Sequence, residues 1–147
     1  MKKKGFTLVE LLAVIVILAF VALITIPIVL STVNKSEDSA DKRSAENYRR
    51  AVKNAIARGS LNGNRYSPRQ CTVIESGEDK GNLSCEMSSG ENTIIKVKIE
   101  GNTPKKGSIT FVDGEPYRTT LYYKEVYVVI DEKGNSEIYK IDNSNND

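Results

Sequence analysis

Residues 1–20 read MKKKGFTLVELLAVIVILAF: three lysines and a glycine precede an apolar run that contains one carboxylate, Glu10. From Phe6 to Leu30 the only polar side chains are Thr7, Glu10 and Thr25. As a helix rising 1.5 Å per residue, such a segment spans roughly 37 Å, enough to cross a hydrocarbon core of about 30 Å. It is longer than the apolar region of an export signal, typically about 7–15 residues, and no A-x-A-like cleavage site follows it. The lysines before it and the mixed charges Lys35, Glu37 and Asp38 after it predict a single-pass anchor with its N-terminus in the cytoplasm.

Glu10 does not suit a plain anchor. An ionised carboxylate within a membrane helix costs about 2.5–3.5 kcal/mol on insertion scales, so it calls for a partner or a function. The alternative is an interfacial position close to the lysines. Pro27, further along the run, lacks an N–H and crowds the carbonyl of Leu23, which predicts a weakened or broken helix there.

Helical signals continue past Leu30. Ala40, Tyr48, Ala51, Val52, Ala55 and Ile56 mark one apolar face, while Asp38–Lys42 and Glu46–Arg50 are favourable i,i+4 pairs elsewhere on the surface. Gly59 is the expected C-terminal glycine, with Asn62-Gly63 turning beyond it. The chain thus divides into residues 1–5, an apolar half-helix 6–30, an amphipathic half-helix 31–58 and a head 59–147. A single helix from Phe6 to Arg58 would be about 80 Å long.

The head reads as strands. Ile95, Val97 and Ile99 alternate with Lys96, Lys98 and Glu100. Ser108–Val112 and Tyr117–Tyr123 flank Asp113-Gly114, a hairpin signal. Val126–Ile130 and Ser136–Ile141 flank a turn at Glu132-Lys133-Gly134-Asn135. The expected fold is α+β: an antiparallel sheet of about four or five strands, its apolar face covered by the amphipathic half-helix. Residues 60–92, rich in Gly, Asn and Ser, read as a loop containing Cys71 and Cys85. Outside the membrane this pair is expected to form a disulfide, with two free thiols as the alternative.

Lys4-Gly5-Phe6-Thr7-Leu8-Val9-Glu10 and the apolar run after it resemble the processing site of type IV pilins and pseudopilins. The resemblance extends to about residue 58 and includes the position of Pro27; the lysine-rich, histidine-free style is similar to pilins of Gram-positive bacteria. It implies cleavage between Gly5 and Phe6 by a prepilin peptidase, N-methylation of Phe6, and pairing of Glu10 with the terminal amine of a neighbouring subunit. It further implies a helical homo-oligomeric filament with other pilins, built by an assembly ATPase and membrane platform. The subunit would sit in the cytoplasmic membrane before assembly and in an extracellular filament afterwards. Many type IV pilins carry a disulfide near the C-terminus, and this chain has no cysteine there.

The remaining composition narrows the function. Histidine is absent, which removes the commonest general base and metal ligand. No nucleophile–base pair, phosphate loop or paired-carboxylate site is placeable, so neither an enzyme nor a cofactor or metal site is expected. The Asp131–Asn135 turn suggests a calcium loop only weakly, because its spacing is not that of an EF-hand. Asn34-Lys35-Ser36 and Asn82-Leu83-Ser84 match glycosylation sequons, a weak signal. Without Lys2, Lys3 and Lys4, 18 basic residues face 19 acidic ones, a balance that does not predict nucleic-acid binding. The alternatives to a pilus subunit are a minor pilin or pseudopilin of a type II secretion or DNA-uptake system, and a membrane-tethered binding module that never polymerises.

Overall fold

A computed structural model describes residues 5–141. One helix, α1 (Leu8–Leu61), precedes seven strands: β1 (Pro68–Val73), β2 (Leu83–Met87), β3 (Asn92–Ile95), β4 (Lys106–Val112), β5 (Glu115–Tyr122), β6 (Val126–Ile130) and β7 (Ser136–Lys140). The chain forms two compact units, Met1–Glu37 and Asp38–Asp147.

In the first unit every large apolar side chain from Phe6 to Val33 is at least 44 % exposed. Such a surface is tolerable only against lipid or other apolar helices, and the helix is long and apolar enough to cross a membrane. Two of its hydroxyls bond back to the helix: Thr25 Oγ1 donates to the Val21 carbonyl at 2.7 Å and Thr32 Oγ1 to that of Ile28 at 3.0 Å. The break expected at Pro27 is absent, because α1 continues through it. A proline removes one N–H and crowds one carbonyl, while the helical ladder on either side carries the chain across.

In the second unit α1 buries Ser44, Ala45, Tyr48, Val52, Ile56 and Gly59, a stripe at helical spacing. Ala40, expected on that face, is exposed, and Ala51 and Ala55 lie at its margin. The stripe joins the inner face of one antiparallel sheet of order β3-β2-β1-β4-β5-β6-β7. The core includes Leu83, Ile109, Leu121, Val126, Val128 and Ile130. At its centre the Tyr48 hydroxyl donates to the Gly81 carbonyl at 2.9 Å. Polar contacts fasten the flanks of the helix to the sheet's turns. Arg49 donates to the carbonyl of Pro116 at 2.7 Å, Lys53 pairs with Glu115 at 2.6 Å, and Ser136 hydrogen-bonds Glu46.

The sheet has seven strands where four or five are expected, because β1 and β2 occupy the segment read as loop. Leu83, Cys85 and Met87 point inward and alternate with Ser84 and Glu86, a period-2 signal that the surrounding Gly and Asn residues obscure. Conversely, β3 stops at Ile95. Val97 and Ile99 remain half-buried against the core, but the side-chain oxygen of Asn82 takes the Val97 N–H at 3.1 Å in place of a strand partner. The Asp113-Gly114 hairpin forms as expected between β4 and β5. Both residues have positive φ, 53° and 80°, as the tightest hairpin turns require.

The helix also ends differently. Gly59 lies inside α1, and Gly63 at φ 85° is the terminating glycine. Asn64 N–H bonds the Gly59 carbonyl at 2.9 Å and Gly63 N–H bonds that of Ser60 at 3.3 Å, the paired bonds of a Schellman cap.

Candidate functional site

The sequence places its candidate site at the start of α1. Gly5, Phe6 and Thr7 are non-helical and exposed, and the helix begins at Leu8. An exposed, irregular segment beside a glycine is the kind of backbone a protease can bind extended. Phe6 is 87 % exposed.

Glu10 does not point away from the chain. Its Oε2 accepts from the Thr7 backbone N–H at 2.8 Å and from Thr7 Oγ1 at 2.9 Å, while Thr7 Oγ1 accepts from the Glu10 N–H at 3.3 Å. Thr7-Leu8-Val9-Glu10 is therefore a capping box, which satisfies free donors of the first helical turn and sets a negative charge at the positive end of the helix dipole. Thr7 is the residue that sequence reasoning missed here. Its signal was legible, since a Thr three residues before a Glu at the head of an apolar run is the motif itself. The two bonds from Thr7 to the carboxylate both fall on Oε2.

Cys71 and Cys85 are joined, with their Cα atoms 4.0 Å apart. They face each other in the β1–β2 register and both are fully buried, so the bond pins two adjacent strands. Among the described residues no group of three or more acidic, histidine or cysteine side chains could hold a metal ion. At the Asp131 turn both carboxylate oxygens are engaged by Asn135, at 2.8 Å from its N–H and 2.9 Å from its amide. Asn135 holds the Asp131 carboxyl below the ordinary aspartate value. Asn82 of the second sequon is half-buried and bonded to Asp79 and Val97.

Residues 1–26 match the family described as the prokaryotic N-terminal methylation motif. Over 85 residues the chain is 32 % identical to a protein of Bacillus licheniformis described as a ComG operon protein 3 homolog, covering 58 % of this chain and 84 % of that relative. The chain belongs to the type IV pilin family. No solved structure matches it. Type IV pilins and pseudopilins are structural proteins, and the methylation motif together with the apolar helix points to membrane anchoring.

Proposed function

We propose that this pilin-family chain is a structural subunit of a type IV pilus-like filament, cut between Gly5 and Phe6 and polymerised through the apolar part of α1. The observation that carries this reading is Glu10, a carboxylate in the first turn of a helix whose apolar surface is exposed on all sides. Cleavage after Gly5 would place a cationic amine on Phe6 of every subunit. In a low-dielectric helix bundle, that amine and a neighbour's Glu10 attract strongly, while either alone is expensive. The pair would set axial register more than it adds net stability. Thr7 engages Oε2 and leaves Oε1 for this partner. In an assembled bundle Pro27 is where the helix would loosen.

The prepilin peptidase, an assembly ATPase and its membrane platform would be the partners before assembly, and other pilins afterwards. The competence-type relative supports a second reading, a pseudopilin subunit of a DNA-uptake system. Mass spectrometry of the mature N-terminus tests the processing: N-methyl-phenylalanine at Phe6 is expected, and an intact Met1 would point to a membrane tether. Subunit stoichiometry in sheared filaments separates a major subunit from a minor one.

A further inference from the structure

The second unit carries two charged features that, among the described residues, no intramolecular ion pair uses. One is a groove of about 790 Å³ between α1 and the β3 edge. Arg50, Arg58, Lys96 and Lys98 line it, against a single acid, Glu100, with the Tyr66 ring at one end. All four cations are exposed, and among the described residues none forms an ion pair. The other is the connection from β1 to β2, where Glu75, Glu78 and Asp79 lie within five positions, accompanied by Lys80. The Asp79 carboxylate accepts from the Asn82 side-chain amide and its carbonyl from the Asn82 N–H, and among the described residues none of these acids has an ion pair.

Their placement decides what can join them. The β1–β2 connection leaves the sheet beside Gly81, where the Tyr48 hydroxyl docks. Arg58 lies ten residues further along α1, about 15 Å away. The β1–β2 ladder runs the same way: Val73 pairs with Leu83 at the acidic end and Pro68 with Met87 at the other. The acidic turn therefore points away from the Arg58 end of its own groove, while Asn82, bonded to both Asp79 and the Val97 N–H, holds it near Lys96 and Lys98.

We propose that the acidic β1–β2 turn of one copy docks in the Arg50–Arg58 groove of a second copy displaced along the helix direction. The occupant is argued from charge complementarity between two surfaces of the same chain. Knob and groove are different surfaces, so the contact is heterologous and repeats without closing, as a fibre requires. Charges at the rim of such a contact fix partner and register and respond to salt. The inference rests on the pilin reading and adds a head-to-head contact to the helix-to-helix one.

The test uses the full-length chain in cells that assemble it. Wild-type sheared filaments are the control for the pilin reading, so its failure is seen separately. Changing Glu75, Glu78 and Asp79 together to Lys, or Arg50 and Arg58 together to Glu, is expected to lower filament yield about tenfold, and combining both sets to restore most of it. Glu78→Cys with Arg58→Cys is expected to give disulfide-linked multimers in the filament. N-methylation of Phe6 in each variant reports that the subunit reached the membrane and was processed. Wild-type yields from both charge-reversed sets, a combined variant no better than its parents, or filaments without cross-links would each overturn the proposal.

Discussion

Gly59 and Tyr66 share one space: a Cβ on residue 59 would lie 2.0 Å from Tyr66 Cε2 and 2.2 Å from Cδ2. The last turn of α1 has a glycine at that point because the Tyr66 ring, returning after the cap, occupies the space a Cβ would take. Gly59→Ala must push the ring away, and overpacking of this kind costs about 1–3 kcal/mol. For a unit of this size that lowers Tm by several degrees per kcal/mol. Thermal unfolding of the full chain in detergent checks it, and an unchanged Tm would show that the ring moves freely.

Arg49 and Lys53 both tie α1 to the β4–β5 hairpin, but unequally. Arg49 makes a half-buried, charge-assisted bond to the Pro116 carbonyl, so Arg49→Met is expected to cost about 1.5–3 kcal/mol. The Lys53–Glu115 pair is exposed on both sides, at 49 % and 67 %, so Lys53→Ala is expected to cost no more than about 1 kcal/mol. Urea unfolding of the two variants ranks them. The reverse order would mean that the carbonyl is rehydrated without penalty.

Removing the disulfide with Cys71→Ala and Cys85→Ala releases a loop for which chain entropy predicts a loss of about 3 kcal/mol. Both sulfur-bearing residues are fully buried, so reductant is expected to act only as the strands open. Thiol labelling against urea concentration should follow unfolding, and rapid labelling of the folded chain would contradict the buried placement.

Thr7→Val removes one hydroxyl from the capping box, whereas Thr7→Ser keeps it. Loss of a cap costs about 1 kcal/mol of helix stability, so Val should fray the first turn and Ser should not, as read by hydrogen exchange of the Leu8–Leu11 amides. Under the proposed function Glu10→Ala leaves a membrane-inserted, processed subunit that assembles poorly. Wild-type amounts of sheared filament from that variant would sink the amine-pairing argument.

The Asp131 carboxyl is held down by the Asn135 side-chain amide first, with backbone N–H groups of the same turn adding to it. A lowered value means that the charged form is favoured in the fold. Its contribution is therefore complete above the ordinary aspartate value and is lost as pH falls through the lowered one. The β6–β7 turn should loosen only in that acid range, seen as faster exchange of the Asn135 N–H, and Asp131→Asn should remove the pH dependence. Loosening near neutral pH would rule out Asp131 as the cause.

Much of this was legible one segment at a time. Tyr48, Val52 and Ile56 mark their own helical face, and Asp113-Gly114 marks its own hairpin, because the cue and the structure are a few residues apart. Leu83-Ser84-Cys85-Glu86-Met87 carried an equally clean alternation. It was obscured because Gly, Asn and Ser dominate the flanking residues and because the cysteine spacing reads as a closed loop. Glu10 stood out as a carboxylate in an apolar run, but its partner Thr7 looked like an incidental polar residue.

By itself the sequence determined what depends on local chemistry: an apolar helix unable to face water alone, its basic N-terminal residues, its capping motif and the alternating strands. The tertiary structure decided what depends on residues far apart in the chain meeting in space. It assigned Gly59 to packing against Tyr66 and Gly63 to the cap. It made Cys71 and Cys85 cross-strand partners, and it ended β3 where Asn82 takes over the Val97 N–H. The physical reason is that a glycine, a cysteine or an asparagine has no single conformational preference strong enough to announce its role. Steric room, register and an unpaired donor supply that role, and each exists only once the sheet has closed onto the helix.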